Sequence, residues 1–223
     1  MKRIISTVLI VISIFFTNIN LEKVEAKEKN ETVILIDPGH GGIDGGAKSK
    51  NGTSEKDINL NISIKLKERL DKEGYKVFLT REEDKGLYSE DTKGKKKVED
   101  LKKRCAMKKE TNCDIFISIH QNMFPQSKVS GAQVWHASNE ESKKLALILQ
   151  ESLKNTLDKN NNRVPKDAKE QYRILRDNYP GPNVLVECGF LSNSKEEELL
   201  KDEKYQDKIA DALKDGINEF YKQ

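Results

Sequence analysis

Cysteine is scarce in this 223-residue chain, and its number is odd: Cys105, Cys113 and Cys188. Three thiols cannot form a complete disulfide framework, so the fold must rest on a packed core. Each cysteine lies on or beside an apolar pattern, which reads as a small buried hydrophobe rather than a reactive thiolate. Net charge is nearly absent as well, with 40 Lys and Arg against 37 Asp and Glu, a formal +3. That balance excludes a protein whose main work is gripping nucleic acid. No internal repeat, Pro- or Ser-rich linker, GxxxxGK[ST] loop or GxGxxG turn occurs, so those nucleotide-phosphate loops are excluded too. Histidine is limited to His40, His120 and His136.

Long apolar runs are also missing, with one exception. Lys2 and Arg3 precede an apolar stretch from Ile4 to Phe16, broken only by Ser6, Thr7 and Ser13. It is short for a membrane span and has the length of a signal-peptide core. The "VEA" at 24–26 suits signal peptidase. Residues 1–26 are therefore expected to be a signal peptide, the alternative being an uncleaved anchor. Residues 27–223 are expected to be a single exported domain with no further membrane segment. No cysteine lies near the cleavage site, which argues against lipidation.

What is present is an alternation of strand and helix signals. Strands are expected at 33–36, 75–80, 114–119, 131–135, 171–175 and 183–186, and helices at 54–72, 96–109, 140–157, 194–201 and 203–221. Ser54 and Asp57 have the spacing of a capping box, with Asp in place of Glu or Gln. The stretch "DKNNNRVPKDAKE" (158–170) reads as a loop. The order predicts an α/β domain: a twisted, mostly parallel sheet of about six strands flanked by helices on both faces. The lysine run "KGKKK" at 93–97 reads as a solvated helix start, or else as an attraction to an anionic polymer.

In open α/β sheets the working groups gather beyond the carboxyl ends of the strands. His40 follows the strand "VILID" in the turn "PGHGG", and His120 directly follows "DIFISI". Two of three histidines thus fall on one rim. Glu55 opens the next helix, whose start returns toward His40. Two imidazoles and one carboxylate leave a fourth position open on zinc, the pattern of a catalytic rather than a structural site. Glu187 ends the apolar strand "NVLV", where lost hydration must be compensated. It is the candidate general base and acid. Asp37 is either an acceptor that orients a ligand histidine or only the polar end of a strand. Trp135 and Phe124 read as packing residues, and His136 as a strand-end residue outside the site.

"LIDPGHGGIDGGA", "SEKDINL", "FISIHQN" and "VLVECGFLSN", in this order, resemble the zinc-dependent N-acetylmuramoyl-L-alanine amidases of the Amidase_3 type, over about residues 33–220. The resemblance implies hydrolysis of the amide between the lactyl group of N-acetylmuramic acid and L-alanine in peptidoglycan. It implies His40, Glu55 and His120 as Zn²⁺ ligands, Glu187 as the catalytic glutamate, and Asn122 and Arg176 as substrate or supporting contacts. Gln121 stands where many relatives carry alanine, so an altered pocket beside the metal is expected. "LTREEDKGLY", the lysine-rich insertion and "GAQVW" resemble the sporulation amidases of the CwlD type. That implies stem-peptide removal ahead of muramic-δ-lactam formation in spore cortex, in the cell wall or between the forespore membranes.

Two rivals stand beside this reading. One is a wall-binding or scaffolding relative that lost catalysis, although a scaffold has no need of four such groups together. The other is a zinc endopeptidase acting within the stem peptide. The chain shows no wall-binding module, so a protein partner for localisation or activation is expected, docking on the charged segments 81–103 or 158–170.

Overall fold

The computed structural model describes residues 28–222. The segment expected to be a signal peptide or anchor, residues 1–26, lies outside the described residues. Among those described, no helix is long and apolar enough to cross a membrane.

Period-two alternation sorts the strand residues onto two faces. β1 (Val33–Pro38), β2 (Lys76–Leu79), β3 (Ile115–Asn122), β4 (Gln133–His136), β5 (Lys166–Asp167) and β6 (Asn183–Phe190) form one sheet in the order β2-β1-β3-β6-β4-β5. β1 pairs in parallel with β2 and β3, and β3 with β6. β4 runs antiparallel to β6, so the sheet is mixed at that edge.

Ile34, Ile36, Ile115, Ile117, Ile119, Val184 and Val186 point to one face. There they meet α1 (Glu55–Lys72), α3 (Glu140–Leu157), α4 (Ser194–Lys201) and α5 (Glu203–Phe220). α1 contributes Ile58, Ile62, Leu66 and Leu70, the helical stripe expected from their spacing. Complete burial of a side chain such as Leu66 stabilises the fold by roughly 2 kcal/mol. The intervening residues Leu35, Phe116 and Leu185 point to the other face, which is covered by α2 (Lys96–Thr111) and a 3-10 turn at Arg173–Leu175. By the same alternation Asp37, Ser118, His120 and Glu187 lie on this second, more lightly covered face. That is where the chemistry collects.

Four local expectations fail. The segment 171–175 is not a strand. Ile174 and Leu175 are buried in a 3-10 turn, and the Ile174 carbonyl accepts from Nζ of the fully buried Lys108 instead of from a strand neighbour. The edge strand is the two-residue β5, within the stretch read as a loop. The capping box does not form: Ser54 Oγ donates to the Gly45 carbonyl at 3.2 Å, Asp57 is exposed, and the first α1 amides bond to Ala47 and Gly45 carbonyls instead. Phe124 does not pack either, being 45% exposed in the loop after β3. The cysteines behave as expected: all three are free, Cys113 and Cys188 buried and Cys105 half-buried.

Candidate metal centre

β1 ends at the rim, and the turn after it aims His40 inward with φ at 63°, a left-handed conformation uncommon for a residue with a β-carbon. β3 carries His120 to the same rim, and α1 begins there with Glu55. Two glycines make the convergence possible. A β-carbon on Gly39 would lie 2.3 Å from the His120 ring, and one on Gly46 would lie 2.5 Å from Glu55 Oε2.

The Glu55 carboxylate sits between the two imidazoles. His120 Nδ1 is 2.9 Å from Oε1 and His40 Nε2 is 3.2 Å from Oε2. The two rings meet edge to face with centroids 4.8 Å apart. Glu55 is 3% exposed and is fixed by the amides of Ala47 at 2.7 Å and Gln121 at 3.0 Å, and by Asn59 Nδ2 at 3.3 Å. Burial opposes its charge, but hydrogen bonds and attraction from both histidines hold its carboxyl far below the usual range. Burial likewise disfavours the His40 imidazolium. Its bonds to Asp44 and Glu55 overcome that and push its pKa up to about 9.

One ligand atom from each of His40, Glu55 and His120 lies within 4.8 Å of the others. Two neutral imidazole nitrogens and a carboxylate oxygen are the donor set zinc accepts, and three protein ligands leave one position for water or substrate. The residues therefore fit the ion. A cavity of about 310 Å³ opens beside them, walled in part by His40, His120, Tyr172 and Arg176.

Glu187 pairs with His120 in the parallel β3–β6 register. It is 7% exposed, and its Oε2 is buried without a hydrogen-bond partner among the described residues. Oε1 accepts from the Tyr172 hydroxyl at 3.4 Å. Burial, only partly offset by the His120 charge, pushes the carboxyl pKa up to about 7.

The other expected residues fall in different places. Arg176 lies on the cavity wall and pairs with Glu170 at 2.8 Å. Asn122 ends β3 past an irregularity in its pairing, its carbonyl bonded to the Leu191 amide, and it does not line that cavity. The Gln121 side chain turns under the site to Asn59 Oδ1 at 3.1 Å, while its backbone amide holds Glu55. His136 is buried in β4 and donates to the Ala137 carbonyl, away from the cluster.

Asp37 touches no histidine. It is buried between Thr80, Ser118 and Arg104. The acceptor on a histidine is Asp44, whose Oδ2 lies 2.9 Å from His40 Nδ1 and leaves Nε2 free to face Glu55. An aspartate four residues past a histidine in the glycine turn "HGGID" was the available signal for it. Tyr172 was also missed. Nothing in "QYRILR" marks its hydroxyl as facing Glu187; the ring is set by edge-to-face contact with Trp135 at 5.4 Å.

The family model described as N-acetylmuramoyl-L-alanine amidase matches residues 34–219. The chain belongs to this family. The amidase is 38% identical over 193 residues to the germination-specific N-acetylmuramoyl-L-alanine amidase of Bacillus subtilis, covering 85% of this chain and 79% of that protein. The structure of the CwlD amidase from Clostridioides difficile, solved in complex with the GerS lipoprotein, superposes with a TM-score of 0.81 at 47% identity, covering 85% of this chain and 98% of that one. A second amidase, from Clostridium difficile 630, superposes with a TM-score of 0.76 at 30% identity, covering 87% and 98%. The enzyme thus cleaves the N-acetylmuramoyl-L-alanine amide of peptidoglycan, a substrate that lies outside the cytoplasm.

Proposed function

We propose that this amidase is zinc-dependent, with His40, Glu55 and His120 holding the ion and Glu187 moving the proton. The carrying observation is the convergence of those three ligand atoms within 4.8 Å, with Glu187 beside His120 in register. When bound, Zn²⁺ supplies Lewis-acid polarisation of the scissile carbonyl and of the attacking water.

The protein's own part follows from its geometry. Glu187 takes the proton from water through Oε2, the oxygen with no partner in the fold. Tyr172 holds Oε1, so the carboxylate keeps one orientation through the cycle. The proton then passes from Glu187 to the alanine nitrogen as the C–N bond breaks, leaving a free lactyl carboxylate and a free amine. A raised pKa suits this double role, because the acid form must persist near neutral pH long enough to donate. We assign Arg176, a residue of the cavity wall, to a contact with an anionic group of the substrate, and Asn122 to a substrate contact only through the resemblance of its motif.

We further propose that the biological substrate is spore-cortex peptidoglycan, cut so that muramic-δ-lactam can form. Support comes from the likeness to a germination-specific relative and to the CwlD amidase. Residues 1–26 serve as signal peptide or anchor, and residues 27–223 as the exported catalytic domain. Because the C. difficile relative was solved with a lipoprotein, a protein partner on this chain is proposed as well.

The test is digestion of purified peptidoglycan with and without a chelator, read by mass spectrometry. Stem peptides with a free L-alanine amine, lost on chelation and restored by Zn²⁺, are expected. Chelator-resistant release would overturn the zinc assignment. Expression in a Bacillus subtilis strain lacking its germination-specific amidase tests the sporulation role: cortex muramic-δ-lactam returns, or that role fails.

A further inference from the structure

The turn that aims His40 is held by two buried arginines. Arg81 is 1% exposed and Arg104 2%. Arg81 Nε donates to the Pro38 carbonyl at 2.9 Å, and its Nη2 donates to the Gly39 carbonyl at 3.0 Å and the Lys56 carbonyl at 2.8 Å. Arg104 Nη1 donates to the Pro38 carbonyl at 2.9 Å, and its Nη2 to the His40 carbonyl at 2.6 Å. The carbonyls of Pro38, Gly39 and His40 all end on guanidinium groups. Such a turn needs them, because a run of unpaired carbonyls at the base of a cleft is costly and His40 adopts a backbone conformation that its β-carbon disfavours.

α2 reaches His40 by a second route. Lys97 Nζ lies 2.8 Å from Asp44 Oδ1, and Asp44 Oδ2 lies 2.9 Å from His40 Nδ1. Lys97 and Arg104 are two turns apart on α2, so they share one face of the helix. One contact therefore fixes the backbone of His40 and the other fixes its ring. The other two ligands are held differently. Among the described residues α2 makes no hydrogen bond to Glu55 or His120; the Glu55 carboxylate is fixed by Ala47, Gln121 and Asn59, and His120 is set by β3.

We infer that Arg104 is a positioning residue for the metal centre, and that it acts on metal affinity through His40 alone. This rests on the proposed ligand set. The charge of Arg104 is not the issue, since Asp37 and Asp100 already pair with it. What matters is the fork that spans Asp37 and the His40 carbonyl at once, a geometry lysine cannot reproduce.

The test uses the purified full chain, stripped of metal, with Zn²⁺ affinity measured by chelator competition and ligand geometry by the visible spectrum of the Co²⁺ form. Arg104→Lys is expected to weaken Zn²⁺ binding by about tenfold and to alter the Co²⁺ spectrum. In a His40→Ala background the same substitution should change neither, because the ligand it acts through is gone. Lys108→Met serves as control: that residue lies one turn further along α2, is equally buried, and holds Ile174 and Asp177 instead. It should leave Zn²⁺ affinity unchanged whatever it does to the melting temperature. Should Arg104→Lys fail to fold, Lys97→Met carries the test, with a smaller loss that likewise vanishes without His40.

An Arg104→Lys protein with wild-type affinity, or an equal loss with and without His40, overturns the inference. Wild-type affinity in His40→Ala itself would overturn the ligand set instead, so the two failures are distinguishable.

Discussion

Among the described residues, the Tyr172 hydroxyl is the one group within hydrogen-bonding reach of the Glu187 carboxylate, at 3.4 Å. Glu187 neighbours His120 in the β3–β6 register, and the tyrosine makes its two oxygens unequal. One is tethered. The other is buried and unpaired. This asymmetry separates the work of the two side chains.

Glu187→Gln keeps the volume and the tether but removes the base. Turnover on purified peptidoglycan is expected to fall by about a hundredfold or more. Zinc content by plasma emission analysis should remain at the wild-type stoichiometry, since Glu187 is outside the cluster of three. Near-normal release of stem peptides by this variant would remove Glu187 from the mechanism.

Tyr172→Phe keeps the ring that meets Trp135 edge to face and deletes only the hydroxyl. A carboxylate freed to rotate spends less time in the productive orientation. The expected result is a kcat lowered about tenfold with KM and zinc content unchanged. A raised KM at constant kcat would instead mean that the hydroxyl binds substrate.

Asp44→Ala removes the acceptor on His40 Nδ1 and leaves Lys97 without its partner. The imidazole can then turn or take the wrong tautomer. Zinc affinity, measured by chelator competition, is expected to drop about tenfold, with the fold intact because Asp44 is half-exposed. Unchanged affinity would show that the backbone grip on the turn is enough to aim the ring.

The sequence was most legible where a physical rule ties pattern to position. Period-two alternation and the strand-end rule put His40 and His120 on one rim, and the glycine turn told of a close approach that Gly39 and Gly46 in fact make. It was least legible where the decisive contact is long-range. On paper Asp37 was either an acceptor for a histidine or only the polar end of a strand, and the packing of α2 brings it Arg104 instead, 67 residues on. The 171–175 segment has the residues of a strand, yet a buried lysine from another helix takes its carbonyl. Tyr172 owes its role to the same turn. Side chains that act across the fold leave no local pattern.

The Asp37–Arg104 pair makes a prediction about acid. Asp37 is fully buried, and burial by itself would raise its pKa. The Arg104 guanidinium at 2.5 Å, with hydrogen bonds from Ser118 and Thr80, overcomes that and holds the carboxyl at about 2, below the ordinary 3.8. A depressed folded pKa stabilises the protein above the unfolded value and loses that contribution as pH falls through the folded one. Asp37 should thus contribute about 2 kcal/mol at pH 6, declining between roughly pH 4 and pH 2. Urea melts of wild type and Asp37→Asn across pH 6 to 2 check this. The variant is expected to be less stable at pH 6, because the buried Arg104 loses one of its two carboxylate partners and keeps only Asp100. The gap should narrow as the wild-type carboxylate takes up its proton. A gap that stays constant down to pH 2 would mean that Asp37 holds the turn by shape and hydrogen bonding, with its charge contributing nothing to the folded state.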